Sequence, residues 1–351
     1  MTESSMRRRL VKFAVVSTCC LLAALGYALH AARRTAVTVG GVSVRFVADA
    51  GAREGIAARD HVLFRTTTVA EAHGRLVSSA LDDVGGARYL TDLECERVDV
   101  GGGIGVCLTA ARGFATTYGA VVFDDKLNVR HRIKLLGIPS RTRVSPDGKL
   151  GAITTFVSGH SYAGGTFSTR TIIVDTFTGQ EITDLERFAV TRDARPFKAV
   201  DFNFWGVTFA PDSNLFYATL GTGGEFLLIE GNLRDRTARV LRAGVECPSI
   251  SPDATRLAFK KRMHVDGRLI WRLAVLDLRS FEERMIGSES RSIDDQVEWL
   301  DSDTILYALP DDERGLGGTS VWAVAIAGSG PQKWLSGAFS PSIIRISPAP
   351  K

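Results

Sequence analysis

One serine in this sequence lies in a pattern that could support nucleophilic catalysis. Gly159-His-Ser-Tyr-Ala163 comes close to G-x-S-x-G, in which the serine sits on a tight turn between a strand and a helix. That turn exposes the serine hydroxyl only where a helix follows, and the next residues here are Gly164-Gly-Thr166. We therefore expect no nucleophile at this position, and we assign no catalytic residue in the chain.

The stretch around this motif is better suited to recognition than to catalysis. His160, Tyr162 and Phe167 lie in an insertion at 157–170, and loops longer than about 12 residues are often functional. We predict that these three side chains contact a protein or peptide partner. The alternative is a solvated loop that only packs against neighbouring structure.

Two further groups of residues could bind phosphate or a metal ion. Gly101-Gly-Gly-Ile-Gly105 could cradle phosphate, but no helix follows to supply a dipole, so a hairpin turn is favoured. The acids of Asp301-Ser-Asp303 and Asp311-Asp-Glu313 lack the spacing of a calcium loop. The six histidines show no H-x-x-x-H pairing. We expect neither a metal ion nor a cofactor.

A repeated strand–turn–strand unit must position these residues. In the clearest copy, Cys247–Arg262, Pro252 has no N–H for a strand ladder and ends the first strand. Asp253 can accept a hydrogen bond from the backbone two residues further on, which shapes the turn. Two close and two degenerate copies of the unit lie at Val144–Leu150, Phe209–Leu215, Trp299–Ile305 and Phe339–Ile343.

The spacing of the units predicts an all-β fold of the β-propeller type. The motif prolines recur at spacings of about 40 to 45 residues, which is typical of a four-stranded propeller blade. Five four-strand groups are predicted at 96–134, 142–182, 205–241, 247–286 and 296–335, with insertions at 157–170 and 188–204. The regular placement of Trp205, Trp271, Trp299 and Trp322 favours packing between blades over a ligand cage.

The two ends of the repeat region each supply only half a blade. Strand pairs are predicted at 62–81 and at 337–346, and each pair alone would leave an open sheet edge. Joining them in one sheet removes both edges. We therefore predict a six-bladed propeller with a composite closing blade made of two strands from each end.

The N-terminus carries a different pattern. Arg7-Arg-Arg9 precede an apolar run from Phe13 to Ala32, which is about the length that spans a bilayer as a helix. A cleaved signal peptide would have a shorter apolar region and small residues before the cut, and Leu29 stands where a small residue is preferred. We favour an uncleaved transmembrane signal anchor at 13–32.

This anchor divides the chain into four segments. Residues 1–12 hold most of the flanking positive charge and are expected in the cytoplasm, so the remainder of the chain lies outside. Residues 33–60 form a linker, and residues 61–351 form the propeller. The formal net charge of +4 comes from the N-terminal arginines and lysine, and the folded part is close to neutral. We therefore expect no nucleic-acid binding.

The cysteines agree with export from the cytoplasm. Cys95 and Cys107 flank the glycine turn at 101–103, and a hairpin centred on Gly101 would place them opposite each other. We predict a disulfide, which contributes about 2–3 kcal/mol to stability for so short a loop. The alternative is two buried free thiols in a reducing compartment. Cys247 is predicted to be a buried, small apolar residue.

The turn motifs also carry a resemblance to a known family. Ser145-Pro-Asp-Gly148, Ala210-Pro-Asp-Ser213 and Ser251-Pro-Asp-Ala254 resemble the WD40-like repeats called PD40, which occur in TolB and in prolyl-oligopeptidase propellers. Taken whole, residues 60–350 resemble the TolB-like propeller proteins of actinobacteria, which carry an N-terminal anchor. The α/β domain that precedes the propeller in TolB has no counterpart in residues 33–60.

The resemblance implies a monomeric, membrane-anchored extracytoplasmic propeller that binds a protein or peptide of the cell envelope. In such a fold the first strand of each unit lines a central channel, and we predict Arg143, Asp201, Asn203 and Glu246 as members of a binding site there. The alternative is an enzyme of the lactonase or glycosidase type with its site in the channel. That function needs clustered acids, histidines or a metal, and no such cluster is visible in the sequence, so we expect a non-enzymatic protein.

Overall fold

A computed structural model describes residues 12–26, 46–47, 50–67, 72–157, 168–312 and 318–346. Residues 12–26 form a helix, α1, in a compact unit that is separate from the remainder of the described chain. No helix within the described ranges is both long and apolar enough to cross a membrane. Residues 27–32 of the predicted anchor lie outside these ranges, and the transmembrane prediction is not confirmed.

The second unit begins with one strand and one helix in the segment that was predicted as a linker. Strand β1 (Phe46–Val47) and helix α2 (Ala50–Ala57) precede β2 (His61–Thr66), and both fall within the predicted linker at 33–60. Strand β1 pairs in parallel with β4 at the outer edge of the first sheet. The segment 33–60, predicted as a linker, thus contains a short strand and a helix, and an eight-residue helix has too little periodicity to detect.

Within the described residues the strands form six sheets. The first sheet contains β1, β2, β3 (Arg75–Ala80) and β4 (Arg88–Glu94). The second contains β5 (Arg97–Gly101), β6 (Ile104–Ala111), β7 (Thr117–Asp124) and β8 (Val129–Leu135). The third contains β9 (Ile138–Val144), β10 (Leu150–Val157), β11 (Ser168–Asp175) and β12 (Glu181–Asp184).

The fourth sheet is the largest, because the insertion at 188–204 adds a hairpin to its outer edge. It contains β13 (Ala189–Arg192), β14 (Arg195–Phe197), β15 (Asn203–Phe209), β16 (Leu215–Thr222), β17 (Glu225–Asn232) and β18 (Thr237–Ala243). The fifth contains β19 (Glu246–Ile250), β20 (Arg256–Val265), β21 (Arg268–Asp277) and β22 (Glu283–Met285). The sixth contains β23 (Glu298–Trp299), β24 (Thr304–Pro310), β25 (Thr319–Ala325) and β26 (Gln332–Leu335), and the last strand, β27 (Ala338–Ile344), returns to the first sheet.

The six sheets form a closed ring. The innermost strands β27, β5, β9, β15, β19 and β23 each contact the next in this order, and β23 contacts β27. Six buried apolar clusters each join two neighbouring sheets, as where Ala152 and Ile173 of the third sheet pack against Phe204 and Phe216 of the fourth. The predicted all-β, six-bladed propeller is confirmed.

The ring closes in the first sheet, but not as two strands from each end. Strand β27 pairs antiparallel with β2, with Val62 opposite Ile343, and β3 and β4 complete the blade. One C-terminal strand therefore joins four from the N-terminal side, β1 to β4. The segment 337–346 was predicted as two strands, whereas Ser340, with a φ of 52°, forms a bulge through which a single strand continues.

Bulges recur near the start of several innermost strands. The pairing register shifts at Ser140 in β9, between Trp205 and Thr208 in β15, and between Glu246 and Ser249 in β19. In β15 the bulge requires glycine, because a Cβ on Gly206 would lie 2.6 Å from the Cα of Cys247. Bulges bend a strand and re-aim its side chains, which matters for the site described below.

The predicted disulfide is present, although the predicted geometry was wrong. Cys95 and Cys107 are bonded, with a Cα–Cα distance of 5.4 Å. The turn centres on Gly102-Gly103, so Val98 rather than Cys95 lies opposite Cys107. Cys95 lies in the connection between β4 and β5, and the bond therefore ties the exit of the first sheet to the second.

The repeat turns have the chemistry that the motif predicts. The carboxylate of Asp147 accepts from the N–H of Lys149, and that of Asp253 accepts from the N–H of Thr255, both at 3.1 Å. The residue after each aspartate has a positive φ, which is 75° at Gly148 and 57° at Ala254. Glycine meets this requirement without strain, whereas alanine does not.

Ala254→Gly is expected to raise the free energy of unfolding by about 0.5–1 kcal/mol, because it removes left-handed backbone strain at a turn. Gly148→Ala is the matched reverse change, and its Cβ would lie 2.9 Å from the carbonyl oxygen of Gly101. It should lower stability by about 2 kcal/mol. Urea unfolding of both variants measures the two effects, and an Ala254→Gly variant no more stable than the parent would contradict the strain argument.

Candidate functional site

Antiparallel pairing gives the propeller two distinct faces. The turn face carries the connections between the first and second strands of the blades, at 145–149, 210–214 and 251–255. The opposite end, the loop face, is where second strands pass to third strands and where each blade connects to the next. The segment 158–167, with the predicted contact residues His160, Tyr162 and Phe167, joins β10 to β11 and lies outside the described residues.

A cavity of about 340 Å³ opens where the channel reaches the loop face. Its residues come from three bulged strands: Ser140 and Arg141 of β9, Trp205 of β15, and Glu246 and Cys247 of β19. The hairpin of β20 and β21 supplies the rest of one wall through Lys260, Arg262, Leu269 and Trp271. The bulges thus bring side chains from successive blades into one pocket.

Most charges in and beside this loop-face pocket are paired. Arg262 donates to both carboxylate oxygens of Glu246, at 3.0 and 3.2 Å, and Trp271 Nε1 donates to the same carboxylate at 3.1 Å. Lys260 pairs with Asp294. Deeper in the channel, Arg97 Nη1 lies 2.6 Å from Asp295 Oδ1.

Arg141 is the exception in this pocket. Its Nη1 donates to the carbonyl oxygen of Ser140 at 2.9 Å, and its Nε is buried without a hydrogen-bond partner. Among the described residues it forms no ion pair. Burial opposes its charge, but Cys247, Asp295 and Asp294 lie close enough to raise the pKa of Arg141. The guanidinium therefore stays protonated at any working pH.

A second cavity, of about 650 Å³, opens on the turn face. Its charged residues come from three sheets and meet at Arg143, whose Nη1 lies 3.0 Å from Asp99 Oδ1 and 3.1 Å from Glu298 Oε2. Asp99 also accepts from the N–H of Val144 at 2.7 Å, and Glu298 accepts from the N–H of Ile343. Two carboxylates thus share one arginine, which leaves one negative charge uncompensated.

This shared arrangement disfavours ionisation of both carboxyl groups. Burial raises the pKa of Glu298 to about 7, since the favourable contribution of Arg143 is partly cancelled by repulsion from Asp99. Burial likewise raises the pKa of Asp99, against the pull of Arg143 and the Val144 N–H. The trio of Asp99, Arg143 and Glu298 therefore holds a proton near neutral pH.

The four residues predicted to line the channel lie in different parts of the propeller. Arg143 lies in the turn-face cavity and Glu246 in the loop-face pocket. Asn203 Oδ1 accepts from the N–H of Thr169 at 2.7 Å, near that pocket. Asp201 accepts from the Thr222 hydroxyl and the Gly223 N–H, each at 2.7 Å, and so caps the turn between β16 and β17. These four residues do not form one site.

Several residues of the two cavities were missed by the sequence analysis. Arg141 could have been found from the sequence, because residues two apart on a strand share a face and Arg143 was already assigned to the channel. Asp99 and Glu298 had none, since each has to meet an arginine from another sheet. Of the tryptophans predicted to pack between blades, Trp299 does so, donating to the carbonyl oxygen of Ser249 at 2.9 Å, whereas Trp271 lines the loop-face pocket.

The loop face also exposes apolar side chains around its pocket. The most exposed of them are Phe114, Leu136, Ile138 and Val200, of which Leu136 is 79% and Val200 83% exposed. Phe114, Leu136 and Val200 lie on connections at this end of the propeller, and Ile138 is the first residue of β9. Exposed apolar residues on the face that holds a polar pocket are typical of interaction surfaces.

Fold and site together define a six-bladed β-propeller with a charged channel that opens into a cavity on each face. No family model matches the sequence. No curated protein matches it either. TolB from Acinetobacter baumannii is similar in structure, with a TM-score of 0.55 and 15% identity over 81% of this chain and 66% of TolB. A chain of the nidogen/laminin complex is similar with a TM-score of 0.52 and 12% identity over 81% of this chain and 98% of that one.

These likenesses concern the fold, because both identities are low. The chain spans about two thirds of the length of the TolB chain that it matches. The expected resemblance to the TolB propeller is thus confirmed as a structural similarity.

Proposed function

We propose that this protein is a membrane-anchored, extracytoplasmic β-propeller whose loop face binds a protein or peptide partner of the cell envelope. The observation that carries the proposal is that one face holds both a pocket with aromatic and charged walls and exposed apolar side chains on the second, third and fourth blades. Small apolar patches are common on soluble proteins, but apolar side chains on the same face as a pocket with polar and aromatic walls are characteristic of a recognition site. The propeller acts as a monomer and uses no cofactor or nucleic acid in this proposal.

Two features support the location. The apolar run at 13–32, behind Arg7-Arg-Arg9, has the length and flanking charge of a signal anchor with its N-terminus in the cytoplasm. The Cys95–Cys107 bond is of a kind that persists in oxidising compartments outside the cytoplasm.

Site-specific photo-crosslinking in the cell envelope tests the proposal. A benzophenone amino acid is placed at Phe114 or Val200 on the loop face of the full-length protein. These two positions should give a discrete crosslinked species that an excess of the soluble chain, residues 33–351, competes away. The matched controls are Phe177 and Phe281, which are exposed on turns of the opposite face and should give no such species. Equal labelling from both faces, or no competed species, would contradict the assignment.

A second function is favoured by one specific observation, the pKa of Glu298 near neutrality. A carboxyl group that is protonated at neutral pH inside a cavity can act as a general acid, as a glycosidase or lactonase would require. If the turn-face cavity is catalytic, the protein should hydrolyse a member of an aryl-glycoside or lactone panel, and Glu298→Gln should abolish turnover. Absence of hydrolysis by the wild-type protein across the panel would count against this alternative.

A further inference from the structure

The unpaired arginine of the loop-face pocket indicates what the bound partner contributes. Building on the proposed function, we propose that Arg141 anchors the carboxylate of an aspartate or glutamate side chain in a docked peptide. The partner is then an acidic segment whose apolar neighbours rest on the exposed side chains of the loop face. Three observations support this assignment: the balance of charges around the pocket, the hydrogen-bond donors of Arg141 and the shape of the pocket.

The charge count leaves one cation without a partner. Among the described residues around this end of the channel there are four cations and three carboxylates. Each carboxylate is already engaged: Glu246 by Arg262, Asp294 by Lys260, and Asp295 by Arg97. Arg141 therefore carries a charge that no neighbouring side chain neutralises directly. Asp294 and Asp295 favour the charge of Arg141 from a distance, and a bound anion would give the guanidinium the direct ion pair that it lacks.

The geometry of Arg141 suits a carboxylate. A guanidinium group presents its donors as a planar fork that matches the two oxygens of a carboxylate. Here Nη1 is used by the Ser140 carbonyl and the Cys247 thiol also lies within hydrogen-bonding reach of the guanidinium, while the buried Nε has no acceptor. A ligand oxygen that enters the pocket beside Arg141 would complete the hydrogen bonds of this group.

The rest of the pocket restricts what can bind. A volume of about 340 Å³ admits a side chain or a short segment, and Trp271 and Leu269 offer apolar contact to its methylene groups. The excess of one positive charge matches a monoanion such as a carboxylate, whereas a doubly charged phosphate would leave the pocket negative. Deeper along the same strand, Arg143 is already occupied by Asp99 and Glu298, so Arg141 is the arginine of this strand that can take up a carboxylate.

An array of acetylated and amidated heptapeptides with a central Glu, Gln or Lys, in otherwise randomised sequence, tests this inference on the full-length protein in detergent. Wild-type protein should retain the Glu peptides at least tenfold more strongly than the Gln peptides. Arg141→Gln should lose this preference, and Arg141→Lys, which keeps the charge without the fork, should retain part of it. The matched control is Arg268→Gln, which removes an exposed arginine at the tip of the β20–β21 hairpin and should bind like the wild type.

A stability measurement separates binding from folding. Because Arg141 has no ion pair to lose, Arg141→Gln should melt within a few degrees of the wild type, and a large loss of stability would overturn the inference. Peptide binding without a preference for Glu would overturn the inference while leaving the proposed function intact. A second set of the Gln peptides with a free C-terminal carboxylate is tested beside the array, and stronger binding of this set than of the amidated Glu peptides would also overturn the inference, since the carboxylate would then come from a chain end. No binding by any peptide overturns it too, and the crosslinking result then decides the fate of the proposed function separately.

Discussion

Removal of residues 338–351 is expected to unfold the whole second unit rather than one blade. Strand β27 is the innermost strand of the first sheet, and it contacts the innermost strands on both sides. Its Ser340 hydroxyl bonds the backbone of Val98 at 3.1 Å, and its Ser342 hydroxyl accepts from the N–H of Val100 at 3.0 Å. Without this strand the inner edge of β2 is exposed and the ring is open at two interfaces. Circular dichroism should show no cooperative thermal transition.

The control for this deletion is available in the same chain. Removing only residues 347–351, beyond the end of β27, should leave the melting temperature within a few degrees of the wild type. A chain that ends at residue 337 and still melts cooperatively near the wild-type temperature would show that the blades fold independently. Ring closure would then not be the main source of stability.

The fold was predictable because its evidence is local. A proline and an aspartate at fixed spacing determine each repeat turn, and the contacts of Asp147 and Asp253 lie within two residues of those side chains. Apolar alternation on either side then marks the strands. Five copies of such a unit, with a further strand pair at 62–81, leave few arrangements other than a closed ring.

The closing blade and the disulfide register were mispredicted for a related reason. Both depend on the backbone conformation of one or two residues. In the closing blade this is the positive φ of Ser340, and in the disulfide hairpin it is the two-residue turn at Gly102-Gly103. Side-chain type restricts these angles only weakly, and a shift of one position changes which residues face each other. Residues 337–346 were predicted as two strands, although one strand runs through Pro341 beside the bulge at Ser340.

The site was less predictable than the fold, because its contacts join distant blades. Arg143 pairs with Asp99 from the second sheet and Glu298 from the sixth. Arg141 has no ion pair, because the carboxylates near it pair with other cations. No local pattern encodes which first-strand side chains meet across a channel. Periodicity places a residue on the channel face, and only the three-dimensional structure shows its partner.

The pH dependence of stability provides the second large effect, through Glu298. Its pKa of about 7 in the folded protein exceeds its ordinary value of 4.5. Between these two pH values the folded state holds a proton that the unfolded chain has lost, so stability falls as pH rises from 4.5 to 7. Glu298→Gln removes this penalty, and the variant should exceed the wild type by up to about 3 kcal/mol at pH 8. Urea unfolding at pH 4.5 and pH 8 measures the difference, which should vanish at the lower pH.

Two further variants fix the origin of this effect. Glu225→Gln is the matched control, because Glu225 pairs with Arg192 alone, and that contact lowers its pKa. Its removal should slightly weaken the protein at pH 8, the opposite sign. Arg143→Gln leaves Asp99 and Glu298 facing each other without a cation, which should cost about 3–5 kcal/mol at pH 8 and less at pH 5, where Glu298 is protonated. If Glu298→Gln gave no gain at pH 8, the shared-arginine description of the trio would be wrong, since a carboxylate fully compensated by Arg143 gains nothing from neutralisation.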